Sequence, residues 1–173
     1  MLPGAEVIHG NELHAPIGPE SSHDRRMTTT APNNLADRIL NTDAKLYETL
    51  SLIFDTPDER AVWIFFLDED HRVTGPVMPL ENYPATPNTL VDEPPFGRVR
   101  FASALASRLG DMLDFVEGST LVLVWEDTDA GDPDTIEWAR ALAIAAKEAE
   151  VSLRAQFALN RHGFWQITPD DLA

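Results

Sequence analysis

The chain has 173 residues and carries 29 acidic against 13 basic side chains, a net charge of −16 with a pI near 4.5. That length and an apolar content of 43% suit one globular domain with a real core rather than two domains or a disordered chain. The acidity argues against nucleic acid as a partner, because phosphate binding needs a basic face, and disfavours anionic membranes, and the lack of cysteine excludes disulfides and thiolate metal sites.

Residues 1–34 are rich in Pro, Gly, Ser and Thr without helical or strand periodicity, and are expected to be a disordered tail. His9, His14 and His23 fall there at irregular spacing that matches no compact metal site. Met27 opens "MTTTAPNN", which reads as an ordinary protein start, so residues 1–26 are expected to be an upstream extension. Residues 35–173 are expected to form a single α/β domain.

A first helix is expected from Leu35 to about Phe54, capped by Asn33 or Asn34, with Leu35, Ile39, Leu46, Leu50, Ile53 and Phe54 on one face. "AVWIFFLD" (61–68) is a continuous apolar run and predicts a strand buried on both faces. "EDH" turns the chain into "RVTGPVMPL", whose Pro76 and Pro79 predict an edge strand. From Glu81 to Gly97 four prolines predict a long loop. A second helix from Arg98 to Val116 carries Phe101, Leu105, Leu109, Met112, Leu113 and Val116 as its apolar stripe. "STLVLVWE" is a second fully buried strand. The third helix, Asp134 to Glu150, is expected to turn Ile136, Ala139, Leu142, Ala143 and Ala146 inward. "VSLRAQFAL" and "GFWQI" around "NRHG" close the chain as a hairpin, with Gly163 suited to positive φ. The order α-β-β-α-β-α-β-β predicts a mixed sheet with helices packed on it in two or three layers.

The chemistry-bearing stretch is "LVLVWEDTDAGDPDTIEWARAL" (121–142), where a buried strand feeds a helix through an acidic loop. Glu126 at the strand end is the one candidate catalytic acid. Asp127, Asp129, Asp132 and Asp134 are the candidates for a hard cation, although the EF-hand pattern fails, because Trp138 stands at the bidentate glutamate position. The competing reading is a solvated connector ending in a helix cap. No phosphate-binding glycine loop, dinucleotide fingerprint or nucleophile elbow occurs.

The same elements resemble the JAB/MPN metalloprotease fold in its RadC-like branch, a cytidine-deaminase-like architecture. "FFLDEDHRV" matches its opening strand, "RFASALASRL" its helix, and Gly131-Asp132-Pro133 the Gly-Asp-Pro that follows its zinc-binding histidines. In that register Glu126 and Thr128 stand where the two histidines belong. Thr135 stands for the family's serine only with a one-residue deletion, and Trp138 then replaces its aspartate. Zinc needs three good protein ligands and an open position, so the resemblance implies a member without the metal. The expected function is a noncatalytic domain acting through protein contacts, with a protein partner or a homodimer, no cofactor, no nucleic acid and no membrane, in the cytoplasm. Two alternatives stay open. One is a hydrolase using a hard cation in the 126–134 loop. The other is an acidic decoy or inhibitor for a basic partner surface, since thirteen acids face four basic residues from Asp111 onward.

Overall fold

The computed structural model describes residues 35–127 and 133–173. Seven strands and three α-helices follow one another as α1 (Asp43–Ile53), β1 (Ala61–Leu67), β2 (Val73–Glu81), β3 (Leu90–Glu93), β4 (Gly97–Arg100), α2 (Phe101–Phe115), β5 (Thr120–Glu126), α3 (Pro133–Glu148), β6 (Leu153–Asn160) and β7 (Gly163–Ile167). Five strands form a mixed sheet in the order β2-β1-β5-β6-β7, and β3 and β4 form a separate two-stranded sheet. β1 runs antiparallel to β2 and β5, β5 parallel to β6, and β6 antiparallel to β7. The expected tail and its histidines, and the proposed caps Asn33 and Asn34, lie outside the described residues.

The continuous apolar runs become the two central strands. All seven residues of β1 and all seven of β5 are buried, because helices cover both faces of the sheet. Alternation sends Val62, Ile64, Phe66, Leu121, Leu123 and Trp125 towards α2 and α3, and Trp63, Phe65, Leu67, Val122 and Val124 towards α1. The result is a three-layer α/β/α sandwich with two cores divided by the sheet.

Three expected boundaries are corrected. The first helix does not run from Leu35. A short 3-10 turn, Leu35–Asp37, precedes α1, whose true cap is Thr42, with its hydroxyl accepting from the Lys45 amide at 3.2 Å. The intervening chain is tied to the sheet instead: the Leu40 amide donates to the His71 carbonyl at 2.8 Å, and Arg154 donates to the Leu40 carbonyl at 2.6 Å. Ile39 is consequently exposed.

The expected loop 81–97 contains the β3–β4 hairpin, and α2 starts at Phe101 rather than Arg98 because β4 claims residues 97–100. No side chain caps α2. The carbonyls of Thr89 and Pro87 accept from the amides of Phe101 and Ala102 at 2.8 and 3.2 Å, so the proline-rich segment does the capping with its backbone. In α3 the buried residues are Trp138, Ala139, Leu142, Ala145 and Ala146, so the stripe includes Trp138, whereas Ala143 is only half-buried.

As expected from its prolines, β2 is an edge strand. Its register with β1 shifts between Ile64 and Phe66, alongside Gly75, which sits at φ 67° where a Cβ would meet Val116 Cγ1 at 2.8 Å. Gly75→Ala therefore combines left-handed strain with overpacking. We expect it to cost about 1–3 kcal/mol, read from the urea midpoint; an unchanged midpoint would show that the strand relaxes there.

Candidate strand-end site

The parallel pair β5 and β6 ends at one edge of the sheet, with Glu126 opposite Leu159, and α3 starts above it. That edge is where open α/β sheets place ligands. Glu126, Asp127 and Asp134 can be located there, whereas Asp129 and Asp132, like Thr128, lie outside the described residues.

Glu126 is only 5% exposed. As an even-numbered residue of β5 it faces the α1 side, and its two carboxylate oxygens accept from different donors. Oε1 takes the Asp58 amide at 2.6 Å and Oε2 takes the Trp63 indole N–H at 2.7 Å. The charge is thus held by two hydrogen bonds rather than aimed at open space, and the carboxylate ties the 55–60 connection to the sheet. This is the geometry of a structural anchor.

Asp127 is also buried but turns the other way. Its amide donates to the Leu159 carbonyl at 2.9 Å, and Thr135 Oγ1 in the first turn of α3 reaches its Oδ2 at 3.5 Å. Asp134 is exposed in that same first turn, where a carboxylate suits the positive end of the helix dipole. Glu126 and Asp127 therefore lie on opposite faces of the sheet and are not brought together. Among the described residues, no group of three or more His, Asp or Glu side chains is placed to hold a metal ion.

The space between β5 and α3 is filled by rings. Trp138, 1% exposed, packs against Tyr83, Phe101 and Trp125 with centroids 5.1, 5.8 and 6.1 Å away, and its indole N–H donates to the Ala85 carbonyl at 3.2 Å. Tyr83 meets Trp125 edge-on at 6.0 Å, and the Arg60 guanidinium lies 3.8 Å from the Tyr83 centroid. Arg60 also donates to the Tyr83 carbonyl at 3.0 Å. Beneath them Gln156 bridges strand and helix, accepting from Trp125 Nε1 at 2.8 Å and donating to the Ala139 carbonyl at 2.9 Å. Tyr83, Arg60 and Gln156 were not singled out from sequence. Their only signal was Gln156, an amide set between the apolar Ala155 and Phe157 of β6.

The remaining histidines are turn residues. His71 adopts φ 60° after β1, and the His162 amide donates to Asn160 Oδ1 at 2.8 Å in the β6–β7 turn. Near the C-terminus the Thr168 hydroxyl, then its amide, holds the Asp171 carboxyl below its ordinary value. That turn is accordingly favoured above the usual carboxylate range and loosens as pH falls through the lowered value. No helix among the described residues is long and apolar enough to cross a membrane. No family model matches the chain, and no curated protein matches it by sequence.

Proposed function

We propose that the chain is a noncatalytic domain of the RadC-like, JAB/MPN kind that works through protein contacts, with a second copy or another protein. The observation that carries this reading is the occupied strand-end position. Glu126, which stands in a metal-ligand position of the resemblance, spends both oxygens on Asp58 and Trp63. Trp138, which stands for the family's aspartate, is a buried wedge between β5 and α3. A five-stranded mixed sheet flanked by helices is compatible with that architecture.

The contact surface in this reading is the edge at β7. It is the last strand of the sheet, so one side of its backbone has no strand partner. Trp165 is 36% exposed on it, while Tyr47 donates to the Phe164 carbonyl at 3.1 Å and steadies the strand from α1.

Two measurements test the proposal. Thermal shift with zinc, calcium, magnesium and manganese is expected to leave Tm unchanged. A metal-dependent rise abolished by Asp129→Ala or Asp132→Ala would overturn the reading in favour of a hard-cation hydrolase. Sedimentation and affinity capture with the full chain are expected to reveal self-association or a partner that Trp165→Lys removes. A partner kept by Trp165→Lys but lost steeply with salt would instead favour an acidic decoy.

A further inference from the structure

A concavity lies away from the strand-end position and from β7. It is a cleft of about 360 Å3 between β2, the β3–β4 hairpin and α2. Its walls are Ile64, Met78, Leu80, Val91, Phe101, Leu105, Leu109 and Met112, and its charged residues are Asp92, Glu93 and Arg108. The volume is in the range of small-molecule sites, and an apolar wall with few polar groups is their usual make-up. Met78, Leu80, Val91, Phe101 and Met112 are only partly buried, so apolar surface remains for a ligand to cover. Two unbranched thioethers and a ring edge let such a wall adapt to different shapes.

The charges at the mouth select the ligand. Glu93 accepts from Arg108 Nε at 3.2 Å and from Nη2 at 2.7 Å. The two partners are not equally fixed: the Glu93 side chain is 21% exposed and that of Arg108 is 66% exposed. A surface pair of this kind opens at little cost, and the more exposed partner is the one free to swing into water. When Arg108 leaves, Glu93 stays at the mouth with Asp92 beside it in sequence. The net charge of −16 further concentrates cations near the protein.

We propose that this cleft binds a small amphipathic amine, with its ammonium on Glu93 in place of Arg108 and its apolar body against Met78, Phe101 and Met112. The assignment does not depend on the noncatalytic reading of the strand-end position. The probe is octylammonium, with octanol and octanoate as isosteric controls, titrated into the full chain carrying methyl-13C methionine. Only four methionines occur, which keeps the spectrum assignable.

Octylammonium is expected to move the Met78 and Met112 signals and to bind more tightly than octanol, with octanoate the weakest. Glu93→Gln is expected to weaken octylammonium about tenfold and to leave octanol unchanged. Arg108→Gln removes the competing guanidinium and is expected to tighten octylammonium. Both positions are on the surface of the cleft, so both variants keep the fold, and circular dichroism checks this. Octanoate binding at least as tightly as octylammonium would overturn the proposal, as would an unchanged octylammonium affinity in Glu93→Gln. Failure of all three probes to shift either methionine would overturn it too. None of these outcomes bears on metal binding or on the β7 edge.

Discussion

Trp138→Ala is expected to lower the unfolding free energy by about 3–5 kcal/mol, the range for truncating a buried aromatic ring. The indole is 1% exposed and touches three other rings, so its removal opens a void that Tyr83, Phe101 and Trp125 border from different elements. Because these rings come from the 82–89 connection, the start of α2 and the middle of the sheet, the void cannot collapse without moving several elements together. Trp138→Phe separates packing from hydrogen bonding. It keeps a ring in place and removes the donor to the Ala85 carbonyl, so a smaller loss of about 1–2 kcal/mol is expected. Urea denaturation of both variants gives the comparison. A loss under about 1 kcal/mol for the alanine variant would mean that the ring is not the wedge described.

Glu126→Gln is expected to be nearly as damaging as Glu126→Ala, although it preserves shape. The carboxylate accepts two hydrogen bonds from two separate N–H donors, the Asp58 amide and the Trp63 indole. An amide side chain offers one oxygen, so its NH2 must face the second donor, and one buried contact becomes repulsive. Losses of about 2–4 kcal/mol are expected for both variants, from stripping acceptors off groups in a buried setting. The readout besides stability is Trp63 fluorescence, which should shift as the indole loses its charged acceptor. A Gln variant as stable as the parent would contradict the anchor role and would reopen Glu126 as a chemical group.

The strands were legible where burial alone shapes them. β1 and β5 announce themselves as unbroken apolar runs, and β2 as an edge through Pro76 and Pro79. The β6–β7 hairpin was readable from a short polar turn between two alternating segments. The β3–β4 hairpin was not, because each strand is four residues long and lies among prolines that ordinarily mark loops. It is held by pairs such as Val91 with Val99 and by lending carbonyls to the start of α2, and neither leaves a periodic pattern. The first helix looks longer in the sequence because its apolar spacing continues back to Leu35, whereas Arg154, more than a hundred residues away, decides where residue 40 lies. Glu126 is visible in the sequence as an acid at a strand end, but the donors that claim it sit 63 and 68 residues upstream. In the sequence Trp138 shows only as a failed metal-ligand match. Its position in the core depends on Tyr83 and Phe101, which no helical pattern in α3 can announce.

The sheet is built from two local pieces joined at one seam. β1 with β2 is a hairpin closed by a short turn, and β5, α3, β6 and β7 form a continuous unit of near neighbours. The seven antiparallel pairs between β1 and β5, from Ala61 with Glu126 to Leu67 with Thr120, are the ladder that joins them. Closing that ladder brings together residues more than fifty positions apart, and this is the costly loop of the topology. Because local pairing cannot bring this ladder about, its closure is expected to be the slow step of folding. In a nascent chain the edge of β1 that faces β5 stays open until synthesis has passed residue 126.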